Sequence, residues 1–145
     1  MKLHIPKHVR RIMDRLMEGG HRAFVVGGSI RDMLLGKDPS DYDIATDAMP
    51  NRMKDLFHDF RIVDIGERFG TIIIIQDEGD VEVTTFRREG RYTDGRRPEW
   101  ISFTEDIEED LSRRDFTINA MAYSDGHGLI DPHDGRGDLE RKIIR

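Results

Sequence analysis

The 145-residue sequence contains no cysteine. That removes disulfide frameworks, thiolate metal centres and thiol redox chemistry together, and nothing in the cysteine count points to an oxidising compartment. Long apolar runs are missing as well. The longest, Thr71-Ile72-Ile73-Ile74-Ile75, falls far short of the roughly 20 residues of a membrane helix, and residues 1–20 lack the apolar stretch of a secretory signal. A cytoplasmic protein with no membrane partner is the expectation. Lysine is scarce, with 5 residues against 18 arginines. The skew suits planar, bidentate recognition of phosphate or carboxylate, and codon bias produces it equally well. Excess positive charge is also absent: the formal charge of −6 argues against a nonspecific nucleic-acid binder held by a diffuse basic surface.

What is present is enough for one domain. Hydrophobic residues make up 37% and charged residues 36%, a polar balance whose apolar runs are nevertheless too ordered for wholesale disorder. Val9, Ile12, Met13, Leu16 and Met17 follow helical spacing from Pro6 to Glu18, and Gly19-Gly20 closes that helix. Ala23 to Val26 reads as a strand running into Gly27-Gly28, with Ile30, Met33 and Leu34 on a following helix. Asp41 to Ala45 alternates as a half-buried strand, and Pro50 opens a helix carrying Met53, Leu56 and Phe57. Three strands are expected over Arg61–Ile65, Gly70–Gln76 and Asp80–Phe86, the last two antiparallel about a turn at Glu78-Gly79. Arg87 to Pro98 lacks periodicity and reads as a mobile loop returning through Trp100–Phe103. A short acidic helix around Ile107 and Leu111, a helix from Phe116 to Ala122, a hairpin-like piece at Leu129-Ile130 and a charged helix near Gly137 complete the chain. Repeats and low-complexity segments are lacking. The charges are segregated: Arg87, Arg88, Arg91, Arg96 and Arg97 in one stretch, Glu105, Asp106, Glu108, Glu109 and Asp110 in the next.

Asp41-Tyr42-Asp43 is the strongest chemical signal. Residues two apart on a strand share a face, so the two carboxylates project together and repel unless a cation lies between them. An oxygen-preferring divalent ion such as Mg²⁺, held by one or two carboxylates and substrate phosphates, is the usual remedy. An isolated pair of this kind is more often plain solvated surface. The glycine turn upstream, Val26-Gly27-Gly28-Ser29-Ile30-Arg31-Asp32, shifts the balance, because backbone amides at a strand-to-helix glycine turn cradle phosphate. A tight turn alone explains the glycines and leaves the carboxylates unexplained. Glu82 interrupts Val81 and Val83 on its strand and is the candidate third acid of a two-ion centre. Arg113-Arg114-Asp115, read as the start of a helix, puts positive charge against the helix dipole, which an anion would relieve. Asp115 could cap that helix, and Asn119 would share its face. Asp131-Pro132-His133-Asp134-Gly135 offers metal-ligand types in the composition of a turn.

Four stretches then stand in register: Gly27–Gly36, Asp41–Thr46, Glu82–Arg87 and Arg113–Ala120. Together they resemble the class II tRNA nucleotidyltransferase and bacterial poly(A) polymerase family, over about residue 20 to the end. The resemblance implies an α+β head of the polymerase-beta type, a small mixed sheet flanked by helices, with Asp41 and Asp43 as metal ligands and Glu82 as the third acid. It implies that Gly27, Gly28, Ser29, Arg31 and Asp32 seat the triphosphate of ATP or CTP, and that Arg113, Arg114, Asp115 and Asn119 contact its phosphates and ribose. The reaction implied is Mg²⁺-dependent transfer of CMP or AMP to the 3′ end of RNA, most naturally a tRNA. Template-independent poly(A) synthesis and a noncatalytic nucleotide-binding module are the alternatives. The stretch Arg87–Pro98 matches the family's flexible loop beside the active site, whose presence goes with adenosine addition. The family's neck, with its base-reading Glu-Asp-x-x-Arg motif, and its body and tail have no counterpart after Asn119, so residues 1–145 are expected to be a catalytic head belonging to a longer protein.

Overall fold

A computed structural model describes residues 2–66, 69–89 and 101–145. The elements are α1 (Lys7–Glu18), β1 (Ala23–Val26), α2 (Gly28–Leu34), β2 (Tyr42–Thr46), α3 (Pro50–Leu56), β3 (Arg61–Gly66), β4 (Thr71–Ile75), β5 (Val81–Thr85), β6 (Arg87–Glu89), β7 (Ile101–Phe103) and α4 (Ile107–Ser112). A 3₁₀ turn (Thr117–Asn119), β8 (Ala122–Ser124), β9 (Gly128–Ile130) and α5 (Gly135–Glu140) follow. Among the described residues one mixed sheet runs in the order β3-β4-β5-β2-β1-β8-β9, and β6 pairs with β7 apart from it. The expected α+β fold with a mixed, helix-flanked sheet is borne out. No helix among the described residues is long and apolar enough to cross a membrane.

The two faces of the sheet are unequal, and strand alternation sets the difference. Val25, Tyr42, Ile44, Ile72, Ile74, Val81 and Val83 point to one face, where Val9, Ile12, Met13 and Leu16 of α1 and Met53 of α3 cover them in one cluster. Burial of each such aliphatic side chain contributes about 1.5–3 kcal/mol. The other face carries a smaller cluster of Phe24, Val26, Ala45, Phe86, Ile107, Leu111, Ala120 and Ala122. Asp43 and Glu82 belong to the strands whose alternate residues fill the large core, so they necessarily emerge beside this smaller cluster.

The central pair β2 and β5 is parallel, while every other pairing in the large sheet is antiparallel. The connection from β2 to β5 runs through α3, β3 and β4. The hairpin expected over residues 70–86 is present as β4 against β5.

One stretch is not as expected. Phe116 to Ala122 forms the 3₁₀ turn and then enters β8, rather than a helix. The apolar residues Ala120, Met121, Ala122 and Tyr123 are all buried, and pairing with β1 satisfies their backbone as a buried central strand. A short fully apolar run has no period that separates helix from strand. The beginning of the expected 87–98 loop is strand β6, paired to Ile101–Phe103. The remainder of that loop lies outside the described residues, as do Glu67 and Arg68.

Candidate active site

The parallel register of β2 and β5 sets Asp43 directly opposite Glu82. A pocket of about 400 Å³ is lined by Asp43, Glu82, Thr84, Arg87, Arg113 and Arg114, with Ile65 and Phe69 supplying an apolar wall. A second pocket of about 410 Å³ shares Asp43 and Glu82 and adds Asp41 and Asp80. Asp41 stands exposed just before β2. The two carboxylates that face each other are thus reached from both sides.

Burial and the neighbouring Glu82 together perturb Asp43. Burial raises its pKa to about 7, and the hydrogen bond and negative charge of Glu82 push the same way, Arg114 opposing and Asp41 adding slightly. An all-oxygen donor set whose members cannot comfortably share their charge fits a hard divalent cation. Among the described residues no cluster of three or more acidic or histidine side chains is arranged to enclose a metal by itself. A cation held by Asp43 and Glu82 would need further oxygen ligands, of the kind substrate phosphates and water supply.

Gly27 joins the turn to this pair. It has φ 76° and ψ −143°, a combination that only glycine enters without strain. A Cβ there would lie 3.4 Å from Arg114 Nη1 and 3.8 Å from Asp43 Oδ2. The Gly27 amide donates to the Met121 carbonyl oxygen, tying the turn to the start of β8. Arg31 folds back over Gly28, its Nη2 3.1 Å from where a Cβ would stand. The Arg31 Nε donates to Asp32 Oδ1 at 3.1 Å and its Nη1 donates to Asn119 Oδ1 at 3.1 Å. Ser29 is buried and its hydroxyl donates to the Val26 carbonyl oxygen, so its side chain holds the turn closed.

The two arginines differ from expectation in place but not in company. Arg113 caps the C-terminal end of α4 and Arg114 follows it, where positive charge is favoured by the helix dipole rather than opposed. What orders them is Asp110, only 1% exposed, whose carboxylate lies 3.1 Å from Arg114 Nη2 and 3.5 Å from Arg113 Nη2. The same carboxylate accepts the Arg87 amide at 2.9 Å. The sequence reading places Asp110 only in an acidic stretch, although its i, i+3 and i, i+4 spacing to the arginines signals an ion pair. Arg114 Nε is buried without a hydrogen-bond partner among the described residues, a charged donor that suits an anion.

Two other expectations change. Asp115 is exposed beyond α4 and caps no helix, since Phe116 precedes the 3₁₀ turn. Asn119 consequently shares no helical face with it, and reaches the glycine turn instead through Arg31. Arg87, Thr84, Ile65 and Phe69 join the pocket without having been singled out as site residues. The Asp131–Gly135 turn is structural: Asp131 accepts the Gly135 and Arg136 amides, and Asp134 accepts that of Gly137.

Residues 23–145 match the poly A polymerase head domain family. The chain belongs to it. Among individual relatives of this head domain, the CCA-adding enzyme of Bacillus pumilus is 46% identical over 138 residues, covering 95% of this chain and 34% of that protein. The CCA-adding enzyme of Streptococcus mutans is 44% identical over 145 residues, covering 98% and 36%. The head is also similar to the Bacillus stearothermophilus CCA-adding enzyme in complex with CTP, with a TM-score of 0.80 and 38% identity over 93% of this chain and 31% of that one. A tRNA nucleotidyltransferase complexed with a primer tRNA and an incoming ATP analog gives 0.71 and 35% identity, covering 92% and 36%. The chain spans about a third of the length of the curated relatives it matches. The resemblance seen in the four motifs is borne out at the level of this family and its fold.

Proposed function

We propose that this chain is the catalytic head of a nucleotidyltransferase that moves CMP and AMP from CTP and ATP onto the 3′ end of a tRNA, with release of pyrophosphate. The carrying observation is the Asp43–Glu82 pair beside a glycine turn that approaches both Asp43 and Arg114. Relatives named CCA-adding enzymes, one solved with CTP, support it, as does the solved relative holding a primer tRNA and an ATP analog. Cytoplasmic tRNA maturation is the setting that goes with this reading.

Asp41, Asp43 and Glu82 are the residues that would hold Mg²⁺, which supplies charge neutralisation at the phosphates and acidifies the attacking hydroxyl. The protein's own contribution is arrangement. Gly27 and Gly28 let the triphosphate approach the backbone. Arg113 and Arg114, already oriented by Asp110, meet the developing negative charge without reorganising. Asp43 or Glu82 would lie close enough to shape or accept the proton leaving the 3′-hydroxyl.

Template-independent poly(A) synthesis is the second reading, favoured by the matched family being that of poly A polymerase heads. Product length decides between them. The full-length protein given CTP, ATP and a tRNA lacking its three terminal nucleotides is expected to add three residues and stop; a long adenosine tail would establish the second reading.

A further inference from the structure

The 3₁₀ turn that carries Asn119 is gripped from behind. Asp138 on α5 is fully buried, and its Oδ2 accepts the Thr117 hydroxyl at 2.5 Å. The same carboxylate accepts Arg145 through Nε at 3.0 Å and Nη2 at 2.9 Å, and Arg141 through Nη2 at 2.9 Å. The Thr117 amide donates to the Arg145 carbonyl oxygen at 2.7 Å. On a third side Gly135, at the start of α5, packs so closely that a Cβ would stand 2.0 Å from the Thr117 carbonyl oxygen. Amide, hydroxyl and carbonyl of one threonine are therefore all fixed by residues 135–145. None of those residues lines the pocket around Asp43 and Glu82.

The grip has a target two residues away. Asn119 accepts from Arg31 Nη1, Asp32 accepts from Arg31 Nε, and Arg31 Nη2 is left against Gly28. A guanidinium is a bidentate phosphate donor only when its plane is set, and its long side chain must otherwise be ordered when the ligand arrives. A buried carboxylate surrounded by two arginines and a hydroxyl gains little net stability over an apolar replacement. Its effect here is to fix where one turn stands.

We infer that Thr117 is a positioning residue for the triphosphate: clamped by Asp138, Arg145 and Gly135, it sets the turn so that Asn119 aims the Arg31 guanidinium at phosphates seated on Gly27-Gly28. The inference rests on the nucleotidyl-transfer reading of the pocket. It also makes residues 135–145, remote from the chemistry, part of how the nucleotide is held.

The test is a nuclear magnetic resonance titration of the 145-residue chain with inorganic tripolyphosphate and, separately, with CTP, both with Mg²⁺. Thr117→Val is expected to raise both dissociation constants about fivefold, Thr117→Ser to stay within about twofold of the parent, and Asn119→Ala to match the valine variant. The double variant Thr117→Val/Asn119→Ala should bind no worse than Asn119→Ala, because both act through Arg31. Arg145→Ala, an exposed position whose loss spares the core, should weaken tripolyphosphate binding in the same direction and keeps the inference testable if the valine variant does not fold. Parent-like binding by Thr117→Val or, should it not fold, by Arg145→Ala overturns the inference, as does multiplication of the two losses in the double variant. If the parent itself binds neither probe, the functional reading fails and the inference falls with it.

Discussion

Asp43 and Glu82 stand side by side across the parallel strands β2 and β5, near enough that the two carboxylates share a hydrogen bond and Asp43 is held protonated up to about pH 7. Burial contributes most to that shift. In the unfolded chain an aspartate titrates near 3.9. Between about pH 4 and 7 the metal-free folded protein thus keeps a proton that the unfolded chain has lost, and stability falls as pH rises through that window.

Asp43→Asn should remove this penalty. In chelator, the variant is expected to be more stable than the parent by about 1–3 kcal/mol at pH 8 and indistinguishable from it below about pH 4. Urea unfolding followed by circular dichroism at several pH values checks this. Equal stability at pH 8 would mean that burial and the neighbouring Glu82 do not penalise the charged form of Asp43 as described.

Gly27→Ala combines backbone strain with a new contact on the site's arginine. The backbone at φ 76°, ψ −143° costs a non-glycine residue about 1–3 kcal/mol, and the added methyl meets the Arg114 guanidinium at 3.4 Å. Gly36 has a similar φ of 74° with nothing within 4 Å of a Cβ, so Gly36→Ala is the matched control. Both variants should lose stability in thermal melts, while only Gly27→Ala should also lose binding of CTP.

Asp110→Ala removes a carboxylate that pairs with Arg113 and Arg114 and accepts the Arg87 amide. Breaking such a buried arrangement costs about 3 kcal/mol, and Asp110→Asn, which keeps the acceptor for the amide, should cost less. Denaturant titration of both variants tests the order. If the alanine variant is as stable as the parent, Asp110 does not hold the arginines.

The elements with a clear period were legible in the sequence. α1 declares itself by Val9, Ile12, Met13 and Leu16, all buried, and Asp43 and Glu82 were found because alternation beside Tyr42, Ile44, Val81 and Val83 puts them opposite the core. What alternation cannot supply is which strands become neighbours. The parallel pairing of β2 with β5, across α3, β3 and β4, is a tertiary fact, and it alone makes a pair of Asp43 and Glu82. The helix expected over Phe116–Ala122 failed because a uniformly apolar run reads alike in either state, and the dipole argument for Arg113 and Arg114 fell with it. Asp110 was hidden among five acids close in sequence; its i, i+3 and i, i+4 spacing to Arg113 and Arg114 and its burial set it apart from Glu108, which is exposed.

The central claim is that the Asp43–Glu82 pair is a metal-supported centre for nucleotidyl transfer. Single-turnover incorporation of labelled CTP and ATP onto a tRNA lacking its terminal CCA, in the full-length protein with Mg²⁺ and then with chelator, tests it most directly. The parent should incorporate only with metal, while Asp43→Ala and Glu82→Ala should bind the tRNA normally and lose about three orders of magnitude or more in rate. Turnover by Asp43→Ala within tenfold of the parent, or turnover in chelator, would contradict it.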